Sequence, residues 1–108
     1  MDTEIKNAYD TAALVYRQRY DSIPTRVEDV DFVFNNVSTT NPVVVEIGCA
    51  YGREARYIIT KTPNYTGFDI SERFIDMAKA ENPSIHFVCT DVMDYSFTPG
   101  IDIIFSFA

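Results

Sequence analysis

Between residues 43 and 58 the chain reads VVVEIGCAYGREARYI, and this stretch narrows its possible folds more than any other. The valines at 43 to 45 favour extended backbone, while Gly48, Ala50 and Gly52 fall at every second position just beyond them. The pattern predicts a strand, a tight loop stripped of side chains, and a helix, in immediate succession. Small residues at 48, 50 and 52 let something come close to the main chain. Glu46 places a carboxylate at the strand end, just before that loop.

The flanking sequence repeats this grammar. PVVVEI is a strand without polar alternation, as in parallel sheets covered on both faces. REARYIITKT reads as the helix after it, stopped at Pro63-Asn64. YTGFDI is a second strand, Ser71 caps a helix ERFIDMAKAEN that Pro83 ends, and IHFVCT is a third strand. DVMDYSFTPG is a loop turning at Pro99-Gly100, and IDIIFSF is a fourth strand. Strands alternating with helices require right-handed crossovers, so the fold class is α/β with a Rossmann-like parallel sheet. A doubly wound sheet normally continues past this point, so the chain is expected to be the N-terminal part of a larger domain.

Two amphipathic helices come first. Ile5, Tyr9, Ala12/Ala13, Tyr16 and Tyr20 form a helical stripe that ends before Pro24. Thr25-Arg26-Val27-Glu28 reads as a capping box, opening a helix with Val27, Val30, Val33/Phe34 and Val37 on one face. The expected organisation is a helical cap over residues 1–41 and a sheet over 42–108.

Composition removes several function classes. Against 16 acidic residues stand 9 basic ones, a net charge of −7 with no Lys/Arg block, which argues against binding nucleic acid through its phosphates. No apolar run approaches membrane-spanning length and MDTEIKNAYD has no leader pattern. Cys49 and Cys89 make no disulfide framework and read as reduced thiols of a cytoplasmic protein. His86, inside the third strand, reads as a sheet residue, and no His/Cys/carboxylate set has metal-ligand spacing.

A strand, small-residue loop and helix together suit a nucleotide-type cofactor. A dinucleotide loop of the G-x-G-x-x-G type would need a glycine where Arg53 stands. Glu46 would also repel a pyrophosphate and attract a cation. Asp69, about 20 residues past Gly48, stands where a ribose-binding acid belongs. Asp91 ends the third strand, and Ser106 lies at the end of the fourth. Ligands of open α/β sheets lie at these carboxyl ends. Each residue also has a plainer reading: Gly48 and Gly52 as turn residues, Asp69 as a helix cap, Asp91 as a loop acid, and the tyrosine stripe as core packing.

EIGCAYG, GFDIS, CTDV and IDIIFSFA resemble the successive motifs of class I S-adenosylmethionine-dependent methyltransferases of the small-molecule type. The resemblance covers residues 42 to 108 and implies strand order 3-2-1-4. It implies S-adenosyl-L-methionine as cofactor, with Glu46, Gly48, Cys49, Ala50 and Gly52 against its methionine and ribose parts. Asp69 matches the ribose acid, Ile70 packs on adenine, and Asp91 with Val92 contacts its edge. Ser106 to Ala108 match cofactor contacts that begin the catalytic face, and Tyr16 or Tyr20 would close over the methionine end. The family's middle glycine is Ala50 here, a methyl group tolerated at negative φ and costing about 1 kcal/mol at positive φ. The acceptor is expected to be a small molecule. An NAD(P)-dependent half-domain and a non-enzymatic fragment, self-associating through an exposed fourth strand, are the alternatives.

Overall fold

The computed structural model describes residues 3–107, apart from the side chain of Tyr20; Ala108 lies outside them. Helices α1 (Thr3–Asp21) and α2 (Val27–Asn35) precede β1 (Val44–Ile47), α3 (Ala55–Ile58), β2 (Tyr65–Asp69), α4 (Glu72–Glu81), β3 (His86–Cys89) and β4 (Ile103–Ser106). All strand pairs are parallel and the sheet order is β3-β2-β1-β4, as the motifs implied.

Strand register decides what each face carries. Val44 stands beside Tyr65 and Ile103, and Glu46 beside Gly67 and Phe105. Their shared face packs with Val30 of α2, Ala55 and Ile58 of α3, and Ile75 and Ala78 of α4 into the main core. Val45 and Phe68 bury on the other face, where Tyr95 stacks on Phe68 at 4.3 Å between ring centroids. That cover stops short of β4, whose Ile104 is 53% exposed. β4 is the outer strand among the described residues and only half apolar-exposed, because Ile103 and Phe105 turn inward. The Asp102 carboxylate accepts from the Val43 amide at 2.9 Å and ties its start to β1.

Two local expectations need correction. The residue before α2 is Arg26, without a side-chain cap. Thr25 therefore sits one position too far out, and Glu28 one turn position too early, for a capping box; the Thr25 carbonyl accepts from the Val27 amide instead. The segment REARYIITKT contains one α-turn, Ala55–Ile58. Beyond it the Thr60 and Lys61 amides bond three residues back, and the Thr60 hydroxyl takes the Tyr57 carbonyl. Such local bonds from Ser and Thr compete with the helical ladder. Ser71 does cap α4, accepting from the Phe74 amide at 3.2 Å.

α1 joins a separate cluster in which Ala13 packs with Tyr51 and Phe74, flanked by Tyr16, Ala50 and Met77. Among the described residues no helix is long and apolar enough to cross a membrane.

One contact in the sheet leaves no spare room. A methyl group on Gly67 would collide with the Tyr65 hydroxyl and lie 2.9 Å from Cβ of Cys49. Gly67→Ala should therefore destabilise the fold by about 1–3 kcal/mol, the range for overpacking a dense core, measured by urea unfolding with an unchanged m-value.

Candidate functional site

The carboxyl ends of the four strands converge on a cleft of about 610 Å3. Gly48 and Ala50 after β1, Asp69 at the end of β2 with Ile70 after it, and Asp91 and Val92 after β3 line it together with Tyr9 and Tyr16 of α1. Phe107, just past β4, closes one end.

The loop after β1 is built by positive backbone angles. Gly48 has φ 73°, Ala50 φ 49° and Gly52 φ 89°. A Cβ on Gly48 would meet nothing within 4 Å, so this glycine leaves its open side to the cleft. A Cβ on Gly52 would come to 2.9 Å from the Phe87 ring, so this glycine lets the loop pack on β3. The close-packing role that a glycine at 53 would have served thus falls to Gly52. Ala50 carries the methyl penalty of the left-handed region, about 1–2 kcal/mol.

Four of the loop's amides are already taken. Those of Gly48 and Cys49 both donate to the Phe68 carbonyl at 2.9 and 3.0 Å, and that of Gly52 to the Cys49 carbonyl at 3.0 Å. The Ala50 amide donates to Asp69 at 3.0 Å. With α3 only 4 residues long, there is no phosphate cradle here of the kind found at a helix N-terminus.

Asp69 joins three elements. One carboxylate oxygen accepts from Ala50 and the other from the Ser71 amide at 3.0 Å. Burial pushes its pKa up against the pull of the Ser71, Ala50 and Ile70 amides. An ionised carboxylate has about four acceptor positions, so two amides leave capacity for ligand hydroxyls. The Ser71 hydroxyl donates to Asp10 of α1 at 2.6 Å, and Lys6 bonds the same carboxylate at 2.8 Å. At its other end α1 is held where Tyr51 donates to Asp21 at 2.8 Å and where Arg17 bonds Glu81. Between these latches Tyr16 packs 6.4 Å from Phe74 and 6.0 Å from Tyr9, ring centre to ring centre.

Glu46 lies elsewhere. It shares the inward face with Val44, is 1% exposed, and accepts from the Tyr65 hydroxyl at 2.5 Å. Burial, reinforced by the acids Glu54 and Asp69 and only partly offset by Tyr65, pushes its pKa up to about 8. Burial thus favours its neutral form, and it sits behind the loop rather than in the cleft lining, so its position does not support the sequence argument that its charge faces a cationic ligand.

A family model described as a methyltransferase domain matches residues 44–108. The chain belongs to this family, the class I S-adenosylmethionine-dependent methyltransferases. It is 31% identical over 103 residues to malonyl-[acyl-carrier protein] O-methyltransferase 2 of Ilyobacter polytropus, covering 91% of this chain and 37% of that one. The chain thus spans well under half the length of that relative. The plantazolicin methyltransferase BpumL, solved with S-adenosylhomocysteine and a triazolic desmethylPZN analog, superposes with a TM-score of 0.67 at 26% identity, covering 94% of this chain and 45% of that one. Magnesium protoporphyrin IX methyltransferase of Synechocystis PCC 6803, solved with the cofactor bound, gives a TM-score of 0.75 at 15% identity, covering 98% and 62%. This last likeness is one of fold.

Against the methyltransferase motifs, the cleft gathers Tyr16, Gly48, Ala50, Asp69, Ile70, Asp91 and Val92. Glu46, Cys49, Gly52 and Ser106 do not line it. Glu46, Cys49 and Gly52 are buried behind the loop, and Ser106 sits exposed at the tip of β4, where the lining residue is its neighbour Phe107. Phe107 falls within the span 106 to 108 that the resemblance implied, whereas sequence reasoning missed Arg26 and Arg53 as lining residues; no short-range pattern links them, since chain reversal at Pro24 and the sheet bring them together. The Tyr20 side chain and Ala108 lie outside the described residues.

The buried acid sets a pH dependence. A group that holds its proton more tightly when folded stabilises below its unfolded pKa and loses that contribution as pH rises through the folded value. Stability should fall between pH 4.5, the ordinary value, and about 8. Glu54 and Asp69, also raised, act in the same direction. The lowered acids Asp10, Asp21 and Asp31 act only near and below their ordinary 3.8. Glu46→Gln, which keeps an acceptor for Tyr65, should flatten thermal stability across that window, measured by calorimetry from pH 5 to 8; an equally steep fall in the variant would exclude Glu46 as the cause.

Proposed function

We propose that this chain forms the cofactor-binding part of a methyltransferase that acts on a small-molecule acceptor, with S-adenosyl-L-methionine as donor. One observation carries it: two adjacent strand tips present the acids Asp69 and Asp91 to the cleft, beside a loop whose amides at 48, 49, 50 and 52 bond within the chain. A pyrophosphate needs free loop amides, whereas the acid at the β2 tip suits the ribose of either cofactor. A nucleoside needs acceptors for vicinal hydroxyls and for an amino group. The second reading, an NAD(P)-dependent half-domain, is disfavoured on these grounds.

Asp69 would accept from the ribose hydroxyls and Asp91 from the adenine amino group, with Ile70 and Val92 on the ring. Gly48 and Ala50 would lie against the methionine part, and Tyr16 would roof it. Glu46, Cys49 and Gly52 would hold the loop from behind, and Ser106 would lead into Phe107. Bound there, the cofactor supplies a methyl group on a sulfonium, electrophilic without further activation. The task left to the chain is orientation, since aligned reactants convert a bimolecular step into an effectively unimolecular one. No side chain is assigned as a base. The related proteins named for malonyl-[acyl-carrier protein], plantazolicin and magnesium protoporphyrin IX favour a small acceptor group over nucleic acid or membrane.

The cap assigned to residues 1–41 is, on this proposal, chiefly α1, since Val30 of α2 belongs to the sheet's own core. The unpaired thiols Cys49 and Cys89 favour the cytoplasm. Self-association through the outer edge of β4, where Ile104 is exposed, belongs to the same proposal; light scattering should show mass rising with concentration, and a constant monomer mass would remove it.

Asp69→Ala should weaken S-adenosylhomocysteine binding by roughly 1.5–3 kcal/mol, the range for hydrogen bonds to a charged group, measured by titration calorimetry. S-adenosylhomocysteine should raise the melting temperature and NADH should not. A shift with NADH alone would replace this reading with the oxidoreductase one.

A further inference from the structure

The N-terminal latch of α1 reaches the residues next to Asp69. The Asp10 carboxylate accepts at Oδ1 from the Ser71 hydroxyl at 2.6 Å and from the Arg73 amide at 3.3 Å, and at Oδ2 from Lys6 at 2.8 Å. Ser71 is fully buried. Its hydroxyl gives its one proton to Asp10 and takes the Phe74 amide at 3.2 Å. Two of the amides that open α4 are thus satisfied from outside its own ladder, one by Ser71 and one by a residue 63 positions away in sequence. Asp10 is a cap supplied by another helix.

Ser71 also faces the cleft side. Its amide donates to Oδ1 of Asp69 at 3.0 Å, while Oδ2 of the same carboxylate takes the Ala50 amide. The direction of the Ser71 amide therefore sets the plane of the Asp69 carboxylate, and with it where the remaining acceptor positions point. A serine hydroxyl rotates until an acceptor fixes its proton, and here Asp10 is that acceptor. Without it the buried hydroxyl keeps no acceptor, a cost that favours re-aiming the first turn of α4. Burial chiefly, with the Asp10 charge adding to it, pushes the Asp69 pKa up. What Asp10 contributes to Asp69 is therefore an acceptor oxygen and not its charge.

We propose that Asp10 is a positioning residue for the cofactor: through Ser71 it holds Asp69 in the orientation that receives the vicinal ribose hydroxyls. This rests on the methyltransferase reading, in which Asp69 takes the ribose. Tyr9, the neighbour of Asp10, and Tyr16 line the cleft from the same helix, so loosening α1 also weakens a ligand through lost burial. The two effects separate chemically. Lost burial is indifferent to hydroxyl groups, whereas a misaligned carboxylate is felt only by a ligand that carries them. The other latch, from Tyr51 to Asp21 at 2.8 Å, joins α1 to the loop without passing through Ser71, and so reports loosening alone.

The test uses the whole chain with Asp10→Ala, Asp10→Asn, Ser71→Ala and Tyr51→Phe, each shown by thermal melting to be folded at the temperature used. Titration calorimetry reads S-adenosylhomocysteine and its 2′-deoxy analogue. Asp10→Ala should lose about five- to ten-fold in affinity for S-adenosylhomocysteine, as for one hydrogen bond, and only about two-fold for the analogue. Asp10→Asn, which keeps the acceptor oxygen, should return S-adenosylhomocysteine to within about two-fold of the unmodified chain. Ser71→Ala cuts the same relay from its other side; it should reproduce the selective loss, and it decides the matter if Asp10→Ala does not fold. Tyr51→Phe should weaken both ligands alike. Equal loss of both ligands in Asp10→Ala, the selective loss appearing in Tyr51→Phe, or no recovery in Asp10→Asn overturns the proposal. The reading beneath it is checked on the unmodified chain: equal affinity for the two ligands there removes the ribose from Asp69, binding of neither removes the methyltransferase reading, and the proposal falls with either.

Discussion

The arrangement depends on one carboxylate. Asp69 accepts at one oxygen from Ala50 and at the other from Ser71, so a single side chain at the tip of β2 shapes the loop after β1 and starts α4. Ala50 stands at φ 49°, a conformation worth about 1–2 kcal/mol of strain for a residue with a Cβ. Strain of that size persists only where surrounding contacts overdetermine it, and the bond to Asp69 is one such contact. Ser71 passes the connection on, since its hydroxyl bonds Asp10 of α1. Loop, helix cap and roof are thus mechanically one unit.

Glu46 shows what the same fold does with an acid that has no cleft to face. It has no cationic partner within the ion pairs of the described residues, and its support is the Tyr65 hydroxyl, admitted only because Gly67 has no side chain. A lone buried carboxylate avoids ionisation rather than bearing the full desolvation penalty. The charged groups that line the cleft are Asp69, Asp91, Glu54 and the arginines, and Glu46 is not among them. Its position behind the loop suits a structural part played through hydrogen bonding and packing.

Much of this was legible in the chain itself. β1 and β2 announced themselves as short apolar runs because a parallel strand is buried on both faces, and Ser71 was readable as a cap because its bond is local. The failures were those of non-local or competing physics. α3 was overestimated because Thr60 turns its hydroxyl onto the Tyr57 carbonyl, a choice that periodicity does not register. The capping box failed by one residue, which no pattern of residue types distinguishes. Glu46 was open to better reading: it shares the period-two parity of Val44, an inward residue, and not that of Ile47, which lines the cleft. Arg26 and Phe107 meet only through the sheet, far beyond any local rule.

The order of charges across the strand tips then gives the cleft a direction. In a chain of net charge −7, the cleft lining carries Asp69 and Asp91 at the β2 and β3 tips, and Arg26 and Arg53, with Glu54 beside Arg53, toward β4. A zwitterionic ligand that places hydrogen-bond donors toward β2 and β3, and its negative group toward β4, satisfies both ends at once; reversed, it would set a carboxylate against Asp91 and Asp69. The aromatic roof of Tyr9 and Tyr16 adds burial that is indifferent to direction. Burial can supply strength here, and the carboxylates and arginines the sense in which a ligand lies.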